Sequence, residues 1–463
     1  MNSDRNNEGS MKEYDVIVIG SGVGLGVVFN ALSNGLKVAL IDKGNLGGTC
    51  LNVGCVPSKM LISTADRIAE IRDASKFGIR AEIKGIDFDA IMDRMRRTIS
   101  EGRTSLRQAI GESENLEYYN TEARFAGDRV LEMESGRIKG KKIFIAAGTR
   151  PFIPPVKRLD KTPYLTNETV LEIRQKPDSI VIIGGGYVAV EYGHFFASLG
   201  TRVTIIQRSE RLVPFEDPEI SALLSGELKK RMGIFTGAEA IEVLSRPGGC
   251  AVVMKDRKTG AEKEITARKA MVATGRRSNA DSLSVEKTGV DTNAAGYISV
   301  DDYLLTSREN IWAFGDILGR QMFTHAGDKE AEIAWHNATH GEKTRMDFGL
   351  IPRAVFTYPQ VASVGMTEAE AREDYDVLVG RAKYSDTVKG EAIIEKEGFA
   401  KAVVEKSSGK ILGFHIIGPE ASILIQEVVN AMANGQDVKS ITGSMHIFPA
   451  LSEVISETLE NLE

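Results

Sequence analysis

The sequence predicts an α/β protein in which one unit of strand, glycine turn and helix occurs twice, followed by a C-terminal α+β domain. Three observations predict it. The apolar run Tyr14-Asp15-Val16-Ile17-Val18-Ile19 breaks into Gly20-Ser21-Gly22-Val23-Gly24-Leu25-Gly26, and Ile180-Val181-Ile182-Ile183 breaks likewise into Gly184-Gly185-Gly186-Tyr187. After residue 346 no such turn recurs, and strand-like runs such as Ala400-Lys401-Ala402-Val403-Val404 and Ile411-Leu412-Gly413-Phe414-His415-Ile416-Ile417 alternate with helical segments. The 463 residues exceed one ordinary core and suggest roughly three domains at ~150 residues each.

Each strand, glycine turn and helix is a Rossmann-like βαβ unit, where glycines let the backbone approach a pyrophosphate seated on a helix N-terminus. In the first unit Gly20, Gly22 and Gly24 form that turn. Leu25 stands where glycine or alanine usually packs helix on strand, which predicts a slightly shifted helix. Asp42 ends the strand Lys37-Val38-Ala39-Leu40-Ile41, where an acid binds a ribose 2′-hydroxyl; a plain strand-end aspartate is the alternative. Next comes Gly47-Gly48-Thr49-Cys50-Leu51-Asn52-Val53-Gly54-Cys55-Val56-Pro57-Ser58-Lys59, two cysteines separated by a short spacer. Pro57 suits the first turn of a helix, whose N-terminal dipole stabilises a nearby thiolate.

The second unit places Gly184 and Gly186 in the turn, with Tyr187 and Glu191 opening the helix. Its second strand, Arg202-Val203-Thr204-Ile205-Ile206, ends in Gln207-Arg208-Ser209-Glu210-Arg211. With no acid at 207, Arg208 and Arg211 are able to grip a 2′-phosphate, so NADPH is favoured over NADH; a solvated Arg–Glu–Arg turn is the alternative. Two more glycine turns, at Gly148 and Gly275, close the nucleotide domains, and Ile311-Trp312-Ala313-Phe314-Gly315-Asp316 ends a strand on a carboxylate suited to a flavin ribityl chain, with an ordinary turn as the alternative.

A net charge of −6 with both signs scattered offers no basic field for nucleic acid. No apolar run reaches the ~18 residues of a membrane span, and the start is polar, so a cytoplasmic protein with a flexible leader over residues 1–11 is expected. The three cysteines are Cys50, Cys55 and Cys250. In a reducing compartment a close pair is catalytic or metal-binding rather than structural, and zinc would need a second ligand pair that is missing, so no metal site is expected. Cys250, in a glycine-rich turn, reads as incidental or structural.

Together these motifs resemble the pyridine nucleotide-disulfide oxidoreductase family of lipoamide dehydrogenase, glutathione reductase, mycothione reductase and mercuric reductase, over essentially all of residues 12–463. The resemblance implies FAD on residues 12–150 (which include Gly48 and Thr49) and 278–346, NAD(P)H on residues 151–277, and a dimerisation domain over residues 347–463 that forms a homodimer sharing its active sites. It implies a redox-active Cys50–Cys55 disulfide, Cys55 facing the flavin and Cys50 the substrate. It also implies a Lys59–Glu191 ion pair at the flavin, Tyr187 covering the nicotinamide pocket, Asp316 on the ribityl chain and His325 in the cofactor shell. For Tyr187, a core aromatic is the alternative.

The C-terminal segment Met445-His446-Ile447-Phe448-Pro449-Ala450-Leu451-Ser452-Glu453 departs from the pattern. Such reductases carry a His-Pro dipeptide followed by an acid; here Pro449 and Glu453 are in register, and Phe448 takes the histidine's place. Phenylalanine carries no proton. His446 would share a face with Phe448 on an extended segment and is the alternative proton carrier, though ~6–7 Å farther along the strand. The expected function is transfer of electrons from NADPH through FAD to a small thiol or disulfide substrate. The alternatives are an atypical member resembling 2-ketopropyl coenzyme M oxidoreductase/carboxylase or a mercuric or metal-ion reductase, and an electron-transfer flavoprotein subunit.

Overall fold

The computed structural model describes residues 11–463, so the expected leader lies, but for Met11, outside the described residues. The chain divides into two compact units. One comprises the described residues up to Pro57, Arg96–Pro151 and Arg276–Asp347; the other comprises Ser58–Met95, Phe152–Gly275 and Phe348–Glu463.

In the first unit the strands Leu116–Tyr119, Val38–Ile41, Lys12–Ile19 and Gly136–Ile145 run parallel in that order, and Ile311–Ala313 pairs parallel with Gly136–Ile145. Val16, Ile17, Val18, Val38, Ala39 and Leu40 are fully buried, as expected of strands covered on both faces. Ile19 pairs with both Ile41 and Ile145, and Ile145 with Ala313. The strands therefore end at one level, and Gly20, Asp42, Ala146–Gly148 and Phe314–Asp316 all leave the sheet there. In open α/β sheets the carboxyl ends of the strands are where ligands bind.

The second unit repeats this device. Gly233–Phe235, Arg202–Ile206, Ser179–Ile183 and Lys269–Val272 form a parallel sheet. Gly184 N donates to Ile206 O at 2.8 Å, as Gly20 N does to Ile41 O at 2.8 Å. Both glycines have positive φ, 107° at Gly20 and 117° at Gly184, and a Cβ would lie 2.2 Å from Ala146 O or 2.1 Å from Ala273 O. Only glycine fits either corner.

The same unit holds a five-stranded antiparallel sheet with Ile411–Gly418 buried at every position. Phe414 and Ile416 pack with Ile425, Val428 and Met432 of helix Ala421–Ala433 and with Val454, Ile455 and Leu459 of helix Glu453–Glu460. The expected C-terminal α+β pattern is thus present.

One local expectation is corrected, and the helix after the first glycine turn shows where its close packing falls. Cys250 lies in the strand Gly249–Asp256 rather than in the turn, opposite Ser245, buried with Val243 and Val252; Gly248 makes the turn, and burial pushes the thiol up. Helix Gly24–Ser33 meets its strand through Gly24, where a Cβ would stand 2.9 Å from Val18 Cγ1, so the close packing falls on Gly24 and Leu25 is only half-buried.

Candidate active site

In the first unit the glycine turn and the cysteine segment are built on each other. Gly47 N donates to Ser21 O and Oγ, both at 3.2 Å. A Cβ on Gly48 would lie 2.6 Å from Gly22 Cα, so the two backbones meet without side chains. Asp42 Oδ2 accepts Ser21 N at 2.7 Å and Ser21 Oγ at 2.6 Å, and Oδ1 accepts Gly44 N at 2.7 Å. That uses three of the roughly four acceptor positions of a carboxylate, leaving one on Oδ1 for a hydroxyl.

Cys50 follows Thr49 in the short helix Gly48–Val53, and Cys55 opens the helix Cys55–Asp73, so Pro57 lies in its first turn. No disulfide joins the two cysteines in this structure; Cys50 is half-buried and Cys55 exposed. A hydrogen bond with Cys55, burial and the charge of Asp328 push the Cys50 thiol up, while Thr324 pulls the other way. Thr324 Oγ1 stands 3.3 Å from Cys55 Sγ. It begins the helix Thr324–Thr339, whose second residue, His325, is exposed and stacks on Phe323. Nothing in the cysteine motif points to Thr324, which is distant in sequence.

Asp316 sits where the strand Ile311–Ala313 leaves the sheet. Its Oδ2 accepts Thr149 Oγ1 at 3.0 Å and lies 3.6 Å from Arg276 Nε, which donates to Thr149 Oγ1 at 2.5 Å. Gly148, with φ 62°, has open space where a Cβ would project. Behind this turn, Gly315 N donates to the buried Glu330 Oε2 at 2.5 Å, and burial pushes that carboxyl up to about 7. A carboxyl that holds its proton more tightly folded than unfolded adds stability fully present below pH 4.5 and lost as pH rises to about 7. By up to about 3 kcal/mol, wild-type stability should fall across that window. Glu330→Gln should flatten the fall, as read from thermal midpoints at several pH values.

In the second unit Lys59 Nζ donates to Glu191 Oε1 at 3.0 Å and Oε2 at 2.8 Å. Glu191 is buried and also accepts Phe356 N at 3.0 Å, and Lys59 Nζ lies 4.5 Å from the centre of the Phe356 ring. Tyr187 begins the helix after Gly186, its hydroxyl donating to Glu216 Oε1 at 2.6 Å. At the end of Arg202–Ile206 Gln207 is buried, while Arg208 and Arg211 are exposed and their guanidinium groups make no ion pair among the described residues. Gly275, with φ 111°, likewise leaves open space where a Cβ would project.

The segment around Phe448 is irregular and exposed: Met445 100%, Ile447 80%, Phe448 70%. His446 and Phe448 do not behave as one face of a strand. His446 Nε2 pairs with Glu427 Oε1 at 2.8 Å and Nδ1 lies 3.2 Å from Ser444 O, which draws the ring away from solvent. Glu453 Oε2 accepts Ala450 N at 3.0 Å, so the acid holds the start of its own helix. Glu427, the partner of His446, carried no signal in the sequence.

Among the described residues no group of three or more His, Cys, Asp or Glu side chains could hold a metal ion, and no helix is long and apolar enough to cross a membrane. Mycothione reductase of Mycobacterium tuberculosis is 34% identical over 98% of this chain and 100% of its own length. Mercuric reductase of Staphylococcus aureus is 30% identical over 95% of this chain and 81% of its own length. The solved structure of the HOCl-induced flavoprotein disulfide reductase RclA from Escherichia coli, as a Cu(II) complex, superposes with a TM-score of 0.86 at 26% identity, covering 97% of this chain and 99% of that one. Residues 14–337 match the pyridine nucleotide-disulphide oxidoreductase family and residues 351–459 match its dimerisation domain. The chain therefore belongs to the pyridine nucleotide-disulphide oxidoreductase family, whose members are FAD-binding oxidoreductases that use NAD(P)H.

Proposed function

We propose that this enzyme passes electrons from NADPH to a small disulfide through the Cys50–Cys55 pair. The observation that carries the reading is that pair: two thiols hydrogen-bonded to each other, the second at the positive end of the Cys55–Asp73 helix. FAD fits the first unit: Gly20 turns the chain at a corner that admits no side chain, Gly22 and Gly48 bring two backbones together beside it, Asp42 keeps one acceptor position, and Asp316 stands at the strand ends beside Thr149. Bound there, FAD would relay a hydride equivalent from the nicotinamide to the cysteine pair.

The chain's own groups supply the rest. Lys59, fixed by the buried Glu191, would supply the positive charge that the family resemblance assigns to it at a bound flavin. Cys50, as thiolate, attacks one sulfur of the substrate disulfide; that S–S bond breaks, one thiolate leaves, and a mixed disulfide remains on Cys50. Cys55 then attacks the Cys50 sulfur, expels the second thiolate and restores the Cys50–Cys55 disulfide. With Phe448 at the place of the family's histidine, protons come from solvent. The segment 445–448 is covered in a homodimer formed through residues 351–459, in keeping with its exposed apolar side chains and with the domain match, and three cysteines, too few for a disulfide framework, suit a cytoplasmic setting.

NADPH is preferred because Arg208 and Arg211 stand exposed at the end of the second strand, with neutral Gln207 beside them. Changing both arginines to alanine should raise the Michaelis constant for NADPH by about 10–100-fold, the scale of charge-assisted hydrogen bonds, and leave that for NADH nearly unchanged. Equal effects on both nucleotides would refute the preference.

The similarity to a mercuric reductase and to a flavoprotein solved with Cu(II), together with Phe448, favours one second reading, reduction of a soft metal ion at the thiols. Against mercury, the chain has no second cysteine pair near its C-terminus. A screen of the NADPH-reduced enzyme with small disulfides, Hg(II), Cu(II), and thioether ketones with bicarbonate separates the readings. Turnover of none of the disulfides would sink the first.

A further inference from the structure

We infer that Glu216, braced by Ser363 and Arg353, is a latch that holds Tyr187 closed and so sets how tightly the enzyme binds its pyridine nucleotide. The inference rests on the reading of Tyr187 as the cover of the nicotinamide pocket. The Tyr187 hydroxyl donates to Glu216 Oε1 at 2.6 Å, and the Glu216 carboxylate is only 2% exposed. Its Oε2 accepts Ser363 Oγ at 2.7 Å, Arg353 Nε lies 3.6 Å from Oε1, and the same nitrogen donates to Ser363 Oγ at 3.2 Å. A carboxylate this buried persists only when hydrogen bonds and a counter-charge offset its lost hydration. Its other partners among the described residues, Ser363 and Arg353, fix the oxygens that receive Tyr187.

The loop that carries Glu216 is held at both ends. Val213 N donates to Gly185 O at 2.8 Å, inside the nucleotide-binding glycine turn, and Glu216 N donates to Val213 O at 2.9 Å. Val213 adopts φ 38°, a conformation that a β-branched residue rarely accepts and that persists only when its surroundings enforce it. Beyond Glu216, Asp217 caps the helix Pro218–Lys229 and accepts from the buried Lys401 Nζ at 2.9 Å. Glu216 is thus tied to the glycine turn on one side and to the C-terminal sheet on the other. Burial and the charge of Glu216 push the Tyr187 phenol up, so it remains a donor.

A phenol bonded to a charged acceptor must give up that bond to move. Nucleotide affinity is then reduced by the fraction of molecules in which Tyr187 stands aside. Loosening the latch should tighten binding, a sign that damage to the fold does not produce. Glu216 acts through Tyr187 and is a positioning residue.

The test is titration of NADP⁺ into the FAD-loaded enzyme, with the dissociation constant measured for wild type, Tyr187→Phe, Glu216→Gln, Ser363→Ala and the Phe–Gln double variant. Tyr187→Phe should bind about tenfold tighter and Glu216→Gln about threefold tighter. The double variant should bind no tighter than Tyr187→Phe, because both changes break one interaction. Ser363→Ala, a mild change if Glu216→Gln folds poorly, should shift the constant in the same direction. Tyr187→Ala separates the two ideas: if it leaves affinity and the rate of reduction by NADPH unchanged, the cover reading fails. If it alters them while Tyr187→Phe, Glu216→Gln and Ser363→Ala all leave affinity unchanged or weaker, the latch fails and the cover stands.

Discussion

Replacing Phe448 with histidine is expected to raise turnover of a small disulfide by about 10²–10⁴, the usual contribution of a positioned acid–base group. The argument starts at Cys50. Its thiol is pushed up by the hydrogen bond with Cys55, by burial and by Asp328, so at neutral pH the thiolate that attacks a disulfide is scarce. Nothing at 448 takes up the proton, and His446 is engaged by Glu427. The wild-type rate should therefore climb with pH through the neutral range, about tenfold per unit while the thiol remains protonated. An imidazole at 448 has an acid in register, Glu453, whose Oε1 accepts no hydrogen bond among the described residues. The histidine variant should be faster and should level off at lower pH. An unchanged rate and an unchanged pH profile would show that Phe448 is not the block.

Cys50→Ser should abolish disulfide turnover, by at least about 10³, the order of loss when a covalent nucleophile is removed. A serine hydroxyl neither ionises near neutrality nor forms the mixed disulfide. NADPH-driven reduction of a quinone should survive, because an acceptor that takes electrons from flavin does not need Cys50. This pair of results separates the disulfide reading from an electron-transfer subunit, in which disulfide turnover would be absent from the start and Cys50→Ser would change nothing. Cys55→Ser should be equally inactive on disulfides, since the mixed disulfide on Cys50 would find no second thiol to release it.

Much of the fold was legible because its strongest constraints are local. Gly20 and Gly184 occupy corners that admit no side chain, and the runs before them are apolar because those strands are covered on both faces. The family followed from the cysteine segment and the paired glycine turns, and the match over residues 14–337 agrees. What escaped the sequence is what tertiary packing decides. Thr324 reaches Cys55, Glu216 reaches Tyr187 and Ser363 reaches Glu216, across separations no motif spans. Cys250 looked like a turn residue because two glycines precede it, yet the hairpin closes one residue earlier and the thiol enters the core. His446 looked available because an extended segment was assumed; an irregular path turned it to Glu427.

The most direct test of the Cys50–Cys55 pair as the outlet for NADPH electrons is a thiol count. The chain has three cysteines, so denaturing the air-oxidised enzyme and titrating its thiols should detect Cys250 alone. Anaerobic treatment with NADPH before denaturation should expose Cys50 and Cys55 as well. A count that is the same with and without NADPH would contradict the account.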